Sequence, residues 1–314
     1  MPLNVAIQMD PMEKVNIAGD SSFAIMLAGQ QRGHKIWHYD VRELSYHADG
    51  RLTTRARPVT VQRVEGDHFR FGDYETIDLR GDIDVVLMRQ DPPFDLSYIT
   101  ATHLLERIQP DTLVVNDPAS VRNAPEKLFV LDFAEFMPPT MITRSLDDTR
   151  AFQEEHGEIV VKPLYGNAGS AVFFVGKEDR NLAALTELFG DVWVEPYMVQ
   201  AFLPDVSAGD KRIILVDGEP TGGVNRLPKK GEIRSNFAVG GSGAASELTA
   251  RELEICEALG PELKKRGLLF VGIDVIGGYL TEINVTSPTG IVSIDAFNGT
   301  DTGAKIWDAI ESKL

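Results

Sequence analysis

The fold is decided near the end of the chain by a strand, a glycine turn and a second strand, which read Leu268-Leu269-Phe270-Val271-Gly272-Ile273-Asp274-Val275-Ile276, Gly277-Gly278 and Tyr279-Leu280-Thr281-Glu282-Ile283-Asn284-Val285-Thr286-Ser287-Pro288. We predict a β-hairpin here, because paired glycines between apolar strands are typical of tight turns. Side chains alternate faces along a strand, so Glu282 and Asn284 point to one side while Ile283 points into the packing. Asp274 joins them only if it lies opposite Glu282.

The register of the hairpin decides whether that happens, because a shift by one residue moves every side chain to the other face. A two-residue turn, Gly277-Gly278, would pair Asp274 with Thr281 on the wrong face. We therefore predict a three-residue turn that includes Tyr279. It pairs Asp274 with Glu282, Ile273 with Ile283 and Ile276 with Leu280, which matches acid with acid and apolar with apolar.

The two carboxylates and the amide of Asp274, Glu282 and Asn284 form a set of hard oxygen ligands. Such ligands suit Mg²⁺, which prefers octahedral coordination at about 2.1 Å and usually takes phosphate oxygens as well. The alternative is that they are only the solvated face of a hairpin, which is the better interpretation for an arbitrary hairpin. Against it, the first strand is nearly all apolar, and an unpaired buried acid is costly. The sequence therefore predicts a magnesium site and a nucleoside triphosphate substrate.

The composition is that of a globular chain with an acidic surface. Of 314 residues, 43% are hydrophobic and 25% are charged, which suits roughly two or three folded domains. With 47 acidic and 31 basic side chains the formal charge is -16, which would repel nucleic acid and anionic membranes. We expect neither as a partner, and an anionic substrate must be captured by a local cluster of Arg and Lys.

Cysteine usage and the start of the chain indicate a cytoplasmic protein. The single Cys256 excludes an internal disulfide framework and any Cys-based zinc site, and it fits a reducing compartment. No stretch reaches the ~18 apolar residues of a membrane span, and residues 1–7 lack the features of a signal peptide.

Apolar strands alternate with amphipathic helices in the amino-terminal part of the chain. This alternation is typical of a doubly wound α/β domain with a parallel sheet, which we predict for residues 1–122. Residues 45–82 carry many charges and alternate weakly, so they are predicted to form a peripheral hairpin excursion. The predicted strands span residues 3–9, 35–39, 84–88 and 113–116, and the predicted helices span 20–33 and 97–108.

Two polar segments follow predicted strands of this domain, Met9-Asp10-Pro11 and Met88-Arg89-Gln90-Asp91-Pro92-Pro93. Open parallel sheets bind ligands just past the carboxyl ends of their strands, so both segments are candidates for substrate binding. The alternative is that the prolines merely end the strands, and the pattern alone favours it.

The remaining chain is predicted to form two subdomains, a lid over residues 123–200 and a carboxy-terminal part over 201–314. In the lid, a strand at 158–163 leads through the small-residue loop 164–170 into a strand at 171–175. A mobile loop between two strands is typical of a lid.

Two further features of these regions bear on function. Lys162 follows apolar residues and precedes Pro163, so its backbone is predicted to be buried and its ammonium to need an anion. The glycine-rich stretch 236–243 is either a disordered surface loop or a second flap, and the pattern leaves both open. Helices are predicted from Ser145 and over 249–266.

These features follow one another in an order and spacing that resemble the ATP-grasp ligases and, more narrowly, the bacterial glutathione synthetases. The resemblance covers essentially the whole chain. It implies an ATP-grasp fold after the amino-terminal domain, so that the chain combines α/β and α+β architecture. The residues that carry it are Met9-Asp10-Pro11, Asp20 to Phe23, Met88-Arg89, Asp91 to Asp95, Asn123, Glu126 to Phe129, Lys162, Glu195 to Leu203, Gly209 to Arg212, Asp274 and Thr281 to Gly290.

The resemblance also implies roles for individual residues. For ATP, these are Lys127 and Lys162 on the phosphates, the Gln200, Ala201, Phe202 and Leu203 backbone around the adenine, Asp210 on the ribose, and Gly166 and Gly169 in the lid loop. For the metal, they are Asp274, Glu282 and Asn284 on Mg²⁺, or on Mn²⁺ in its stead. Catalysis is assigned to Arg212 and Arg226, and substrate binding to Arg89, Arg234, Gly240, Gly241, Ser287 and Thr289.

The implied reaction joins γ-glutamylcysteine and glycine at the expense of ATP. The cysteinyl carboxylate attacks the γ-phosphate to give an acyl phosphate, and the glycine amine then displaces phosphate. A carboxylate acylates poorly until its oxygen belongs to a phosphate leaving group, and phosphoryl transfer needs positioning and charge neutralisation more than a covalent protein group. The family also suggests a homotetramer or homodimer.

Two other functions remain open at this point. Another ATP-grasp ligase would share the nucleotide site and select different amino acids in its amino-terminal pockets. A non-catalytic ATP-binding regulator would bind nucleotide without turnover, which the complete metal triad and Arg212 disfavour.

Overall fold

The computed structural model describes residues 1–166, 169–237 and 240–314, and these form three β-sheets with flanking helices. The strands of the first sheet are β1 (Asn4–Gln8), β2 (Lys35–Tyr39), β3 (Leu44–Tyr46), β4 (Leu52–Val61), β5 (Phe69–Phe71), β6 (Glu75–Asp78), β7 (Val85–Met88) and β8 (Leu113–Val115). Their order is β3-β4-β2-β1-β7-β8, with β5 and β6 attached to β4. Strands β2, β1, β7 and β8 are parallel, which confirms the predicted α/β class of this part.

The segment predicted to be a peripheral excursion contains β3 to β6. These strands pair antiparallel with one another, but β4 also pairs with β2 through Trp37 opposite Pro58 and His38 opposite Arg57. The excursion is therefore peripheral, as predicted, and it extends the edge of the main sheet through β4. Two arginines and a proline interrupt the alternation of apolar and polar residues in β4. The sequence pattern therefore did not indicate that much of this strand is buried.

Carboxylates cap the first three of the next four helices, whereas the fourth follows Pro125 and has no side-chain cap. The four helices are α1 (Ser21–Gln31), α2 (Leu96–Glu106), α3 (Pro118–Arg122) and α4 (Glu126–Phe129). Asp20 accepts a hydrogen bond from the Phe23 N–H at 2.7 Å, and Asp95 accepts one from the Tyr98 N–H at 2.9 Å. The short α4 matters most for function, because it carries Lys127.

The second sheet is antiparallel and lies between the other two in the sequence. It contains β9 (Thr140–Thr143), β10 (Ile159–Pro163), β11 (Phe173–Val175) and β12 (Tyr197–Ala201) in the order β11-β10-β12-β9, with α5 (Leu146–His156) and α6 (Leu182–Val192). Ser145 caps α5 as predicted, through the Asp148 N–H at 3.1 Å. We refer to this sheet and its two helices as the lid. Residues 167 and 168 of its predicted loop lie outside the described residues.

The third sheet is also antiparallel and carries most of the predicted site. Its strands are β13 (Asp210–Val216), β14 (Glu219–Leu227), β15 (Ser242–Ala245), β16 (Phe270–Ile276) and β17 (Tyr279–Asn284), in the order β15-β14-β13-β16-β17. Helices α7 (Ala250–Lys265), α8 (Ile291–Asn298) and α9 (Thr302–Glu311) accompany it. Helix α7 begins with a capping box between Thr249 and Glu252.

The deciding hairpin joins β16 and β17, and its predicted turn is wrong. The turn is the two-residue Gly277-Gly278, with φ of +57° and +81°, values that a type I′ turn requires and glycine adopts without strain. Asp274 nevertheless lies opposite Glu282, because Thr281 is an extra residue in β17 that forms a β-bulge. The Thr281 hydroxyl donates to the Asp274 carbonyl oxygen at 3.1 Å. The bulge supplies the one-residue shift that we had assigned to the turn.

Of the other predicted pairs, the structure confirms Ile273 with Ile283 but not Ile276 with Leu280. Ile276 lies opposite Tyr279 instead, and Leu280 lies opposite Val275. Both deviations lie between the bulge and the turn, where the register differs by one residue from the predicted one.

The lid has a core of its own, whereas the first and third sheets share theirs. Buried residues of the lid, such as Val161 and Phe189, cluster with one another. Buried residues of β7 and β16, such as Val86 and Ile273, belong to one continuous cluster. Asn116 joins the same two sheets by donating to the carbonyl oxygens of Phe270 and Val285, both at 2.8 Å. No helix in the described ranges is long and apolar enough to span a membrane.

Candidate active site

One face of the third sheet carries a row of charged side chains. Asp210 and Arg212 lie two residues apart on β13 and therefore share a face. Arg226 of β14 lies opposite Asp210, and Asp274 of β16 lies opposite Arg212. Glu282 of β17 lies opposite Asp274. Alternation and pairing thus place five predicted site residues side by side.

Asp274 is the centre of this row. Its carboxylate accepts two hydrogen bonds from Arg212, Nε at 2.5 Å and Nη2 at 3.0 Å, and lies 2.9 Å from Nη2 of Arg226. Burial alone would raise the pKa of Asp274, but the two guanidinium groups outweigh it and lower that pKa to about 2. Asp274 is therefore ionised and holds both arginines in place.

Asp210 forms the next ion pair in the row. Its Oδ2 accepts hydrogen bonds from Arg226 Nη2 at 2.5 Å and from the Ser235 hydroxyl at 3.0 Å. Its Oδ1 is buried and has no partner among the described residues. Burial raises the pKa of Asp210 to about 6, although Arg226 opposes the shift. One oxygen of this carboxylate is thus available to a hydroxyl donor.

Glu282 faces two lysines that come from outside the third sheet. Its Oε1 lies 3.5 Å from Nζ of Lys127, on α4, and 3.6 Å from Nζ of Lys162, on β10. Burial would raise the pKa of Glu282, but the two lysines lower it. Burial also lowers the pKa of Lys162, and Glu282 only partly compensates. Both ammonium groups are buried, so the predicted burial of Lys162 is confirmed.

A cleft between the lid and the third sheet contains much of the predicted nucleotide site. It encloses about 110 Å³, and its lining includes the predicted residues Lys162, Gly169, Gln200, Ala201, Phe202, Leu203, Asp210, Arg234, Asp274 and Glu282. Lys162 and Gln200 reach the cleft because they alternate with the strand residues that fill the core of the lid. Their side chains are joined by a hydrogen bond of 3.3 Å.

The glycine-containing loops meet at the mouth of this cleft. Lys127 Nζ donates to the Gly166 carbonyl oxygen at 2.7 Å, and Arg234 Nη1 donates to that of Gly169 at 3.5 Å. Gly241 packs so closely on the Ser235 carbonyl that a side chain would collide with it, whereas Gly240 lies beside Lys229. Neither Gly240 nor Gly241 lines the cleft. Residues 238 and 239 of the predicted flap lie outside the described residues.

The other predicted substrate residues lie where the first sheet meets the loop after β17. Arg89 is buried, and it donates to the Ser22 hydroxyl and to the Pro288 carbonyl oxygen, both at 2.9 Å. The Ser287 hydroxyl donates to the Arg89 carbonyl oxygen at 3.3 Å. Thr289 contributes its carbonyl oxygen, which accepts from Arg212 Nη1 at 3.3 Å. Arg89 and Ser287 thus connect the first sheet to the loop after β17, and Thr289 connects that loop to the charged row.

Three polar residues near the site were not predicted to be part of it. Ser235 bonds Asp210, and the Thr286 hydroxyl donates to Oε1 of Glu126 at 3.3 Å. Burial raises the pKa of Glu126 to about 7, and Lys127 opposes this shift. The sequence offered one signal for Glu126, its position beside Lys127 in a helix that begins just after a proline.

The donor set at the centre of the row fits a divalent metal. Asp274 and Glu282 are adjacent carboxylates, and the Asn284 amide nitrogen lies 3.4 Å from Asp274, which leaves its oxygen without a partner in the described protein. No three His, Cys, Asp or Glu side chains of the described residues converge into a metal site. A metal here would therefore rest on two carboxylates and an amide and take its other ligands from substrate or water.

Comparison with known proteins identifies the family. A family model described as prokaryotic glutathione synthetase, N-terminal domain, matches residues 3–122, and one described as prokaryotic glutathione synthetase, ATP-grasp domain, matches residues 126–299. The chain is 57% identical to a glutathione synthetase of Rhodopseudomonas palustris, covering 100% of this chain and 99% of that protein. It is 54% identical to one of Agrobacterium fabrum, covering 99% and 97%.

A solved structure shows the same fold at low sequence identity. The crystal structure of a D-cycloserine synthetase matches with a TM-score of 0.70 and 15% identity, covering 99% of this chain and all of that one. The predicted fold class and the resemblance are both confirmed by these matches. The chain belongs to the prokaryotic glutathione synthetase family, whose members are ATP-grasp ligases that form a carbon–nitrogen bond with the use of ATP and a divalent metal.

Proposed function

We propose that the charged row and the adjoining cleft are where this chain makes glutathione from γ-glutamylcysteine, glycine and ATP, releasing ADP and phosphate. Family membership gives the overall reaction. The observation that carries the assignment of the site is the continuous contact from Lys127 and Lys162 through Glu282 and Asp274 to Arg212. Such a row can hold a triphosphate at its lysine end and the reacting carboxylate at its arginine end.

The lysines are proposed to bind the ATP phosphates. Their distances to Glu282 are longer than an ordinary hydrogen bond, so neither ammonium is fully paired. The pKa of Lys162 is lowered, mainly by burial, which indicates the same shortage of negative charge around its ammonium. A phosphate would supply the missing negative charge.

The crossover after β12 is proposed to hold the adenine. The N–H groups of Ala201 and Phe202 donate to the carbonyl oxygens of Pro139 and Glu158, both at 2.9 Å. The Leu203 N–H has no acceptor in the described part of the chain, so it is the donor that remains for the base. Gln200 would border the same pocket. Gly166 and Gly169 would bring the lid loop over the nucleotide.

Asp210 is proposed to accept hydrogen bonds from the ribose. Its Oδ1 is buried without a partner in the described ranges, and its pKa is raised because burial disfavours the bare anion. A ribose hydroxyl that donates to Oδ1 would give this oxygen a partner and would stabilise the buried anion. Arg226 holds the other oxygen and fixes the orientation of the carboxylate.

Asp274, Glu282 and Asn284 would hold Mg²⁺, or Mn²⁺ in its stead. The bound ion would supply positive charge that offsets the negative charge developing on the phosphoryl group during transfer. Arg212 is proposed to stabilise the transferring phosphoryl group and, with Arg226, the tetrahedral intermediate. Both guanidinium groups are planar forks held by Asp274, and such preorganised donors stabilise developing charge without having to reorient.

The junction between the first sheet and the loop after β17 is proposed to hold the dipeptide. Ser287 and Thr289 lie on that loop, and Arg89 is buried with its Nη1 lacking a partner in the described protein. A substrate carboxylate could take this remaining donor. Arg234, Gly240 and Gly241 would cover the intermediate, because an acyl phosphate exposed to water hydrolyses.

The decisive experiment measures ADP release by the purified protein with both amino-acid substrates, with each alone and with neither. We expect steady release only with γ-glutamylcysteine and glycine together, and glutathione as the product by mass spectrometry. Release only with another acid and amine would overturn the assignment in favour of a different ligase. Nucleotide binding without turnover with any pair would favour the regulator.

We further propose that the chain acts in the cytoplasm as a homodimer or homotetramer and that its functional units are residues 1–122, 123–200 and 201–314. The lone Cys256, buried in α7, fits a reducing compartment. The first and third sheets fall into the first and third units, and the second sheet falls into residues 123–200 except for Ala201 at the end of β12. Light scattering after size exclusion would give the subunit number, and a monomer would contradict the assembly.

A further inference from the structure

A small cavity lies beside Lys127 at the point where the three units meet. It encloses about 20 Å³, enough for about one water-sized group. Its walls are Pro92 and Phe94 of the first unit, Leu164, Tyr165 and Gly166 of the lid loop, Pro125 and Glu126 at the start of α4, and Thr286 after β17. It shares no lining residue with the nucleotide cleft, but Glu126 lies near enough to the charged row for Glu282, Arg212 and Asp274 to influence its pKa.

Glu126 is the anion of this cavity. Its Oε1 accepts from the Thr286 hydroxyl at 3.3 Å, and no donor to its Oε2 is present in the described part of the chain. The neighbouring Lys127 does not pair with it, since that ammonium donates to Gly166 and faces Glu282. The raised pKa of Glu126 has burial as its main cause, and Lys127 opposes it only in part, so the charge of this buried carboxylate is incompletely compensated. A cationic ligand would complete the compensation.

The outer wall leaves no room for a bulky group. The rings of Phe94 and Tyr165 stack with their centroids 6.1 Å apart and their planes 13° from parallel. This contact joins the first unit to the lid loop. At Gly166, a side chain would meet the ring of Pro163, so the loop packs tightly there.

We propose that this cavity receives the amino group of the second amino acid, with Glu126 binding its ammonium and the Phe94–Tyr165 pair excluding a side chain on its α-carbon. The inference rests on the proposed function of the cleft. On this proposal, glycine is selected because a side chain on the α-carbon would have no space. No protein group needs to recognise the α-carbon.

The step that follows is balanced without a further reactant. The nitrogen forms a bond to the acyl carbon, the bond from that carbon to the phosphate oxygen breaks, and its electron pair leaves with the phosphate. The two protons that the ammonium loses on becoming an amide end on the phosphate as dihydrogen phosphate. Glu126 begins and ends the step with the same charge.

The test compares Glu126→Gln with the wild type. Gln keeps the size and the Thr286 contact but loses the charge, so we expect KM for glycine to rise ~10- to 100-fold, the loss typical of a charge-assisted hydrogen bond. KM for γ-glutamylcysteine and single-turnover ADP formation without glycine should stay within about twofold. Glu187→Gln, which removes an exposed charge on α6, is the matched control and should change neither KM.

Three outcomes would overturn the proposal or its basis. A raised KM for γ-glutamylcysteine with an unchanged KM for glycine would place the dipeptide ammonium in the cavity instead. Unchanged values for both would remove Glu126 from binding altogether. If the wild type forms no ADP with γ-glutamylcysteine under any condition, the proposed function itself fails and the subsite with it.

A second variant tests the wall. Phe94→Ala should raise kcat/KM for alanine relative to glycine by about tenfold or more, because it opens space beside the α-carbon. An unchanged ratio would refute the steric role of the pair. ADP formation with γ-glutamylcysteine alone provides the check that the variant still folds and activates its first substrate.

Discussion

Asp274 and Glu282 lie side by side on neighbouring strands, yet their surroundings differ. The Asp274 side chain is 4% exposed and is held by two arginines at 2.5 to 3.0 Å. The Glu282 side chain is 21% exposed and faces two lysines at 3.5 and 3.6 Å. One carboxylate is locked in tight ion pairs, and the other is surrounded by cations that remain incompletely paired.

The difference follows from where the cations originate. Arg212 and Arg226 come from β13 and β14, so the third sheet alone assembles the Asp274 end. Lys127 comes from α4 and Lys162 from the lid, which has a separate core. The Glu282 end therefore forms only when α4, the lid and the third sheet lie together. We infer that the arginine end is preorganised, whereas the lysine end forms as the cleft closes on its ligand.

The largest effect is expected for Asp274→Asn. Removing one partner of a buried ion pair leaves uncompensated charge and costs about 3–5 kcal/mol, and here Arg212 loses its carboxylate partner while Arg226 keeps only Asp210. Turnover should be lost, and urea unfolding at neutral pH should show a destabilisation of that size. A variant within about 1 kcal/mol of the wild type would show that the arginine end does not depend on Asp274.

Glu282→Gln should abolish turnover but leave the fold intact. Both lysines are buried, but Lys127 keeps its hydrogen bond to the Gly166 carbonyl oxygen and Lys162 keeps its bond to the Gln200 side chain. We therefore expect a destabilisation of about 1–3 kcal/mol, smaller than that of Asp274→Asn. ADP release should fall by about 10³-fold at ordinary Mg²⁺, since one ligand and one phosphate-orienting charge are lost. An enzyme that remains active would remove Glu282 from the site, and strong destabilisation would erase the contrast with Asp274.

Arg212→Lys tests geometry rather than charge. Lysine keeps the positive charge but cannot bond both oxygens of Asp274 and the Thr289 carbonyl at once. We expect kcat to fall about 10²-fold with little change in KM for ATP. Arg226 remains as a partner of Asp274, so the unfolding midpoint should shift less than in Asp274→Asn. Unchanged kinetics would refute the proposed role of Arg212.

Strand alternation predicted which residues share a face, but not which strands are neighbours. The shared face of Glu282 and Asn284 was predicted from their spacing alone, whereas that of Asp210 and Arg212 was not predicted and follows from their place on β13. That Asp274 would contact two arginines could not be predicted, because no local pattern tells that β13 lies between β14 and β16. For the same reason Glu126 and Thr286, 160 positions apart, were missed as partners.

The turn of the deciding hairpin shows a different limit. The facing of Asp274 and Glu282 was predicted correctly, but from a three-residue turn that the structure does not contain. Two glycines favour the shorter turn locally, and the buried carboxylates require the register of the longer one. A bulge at Thr281 satisfies both, and alternation patterns contain no signal for an inserted residue.

The smallest effect concerns pH and separates the two carboxylates thermodynamically. The pKa of Asp274 is about 2 in the folded protein, against 3.8 for an unperturbed Asp, so the unfolded state binds the proton first as the pH falls. This carboxylate therefore stabilises the fold fully above about pH 4 and loses about 2 kcal/mol of that contribution as the pH approaches 2. The gap in unfolding free energy between wild type and Asp274→Asn should narrow by this amount over that window.

The pKa of Glu282 is also lowered, so its contribution to stability also decreases as the pH falls. Because its lysines are incompletely paired, the corresponding narrowing for Glu282→Gln should be smaller. Equal narrowing for both variants would mean that the lysines hold Glu282 as firmly as the arginines hold Asp274.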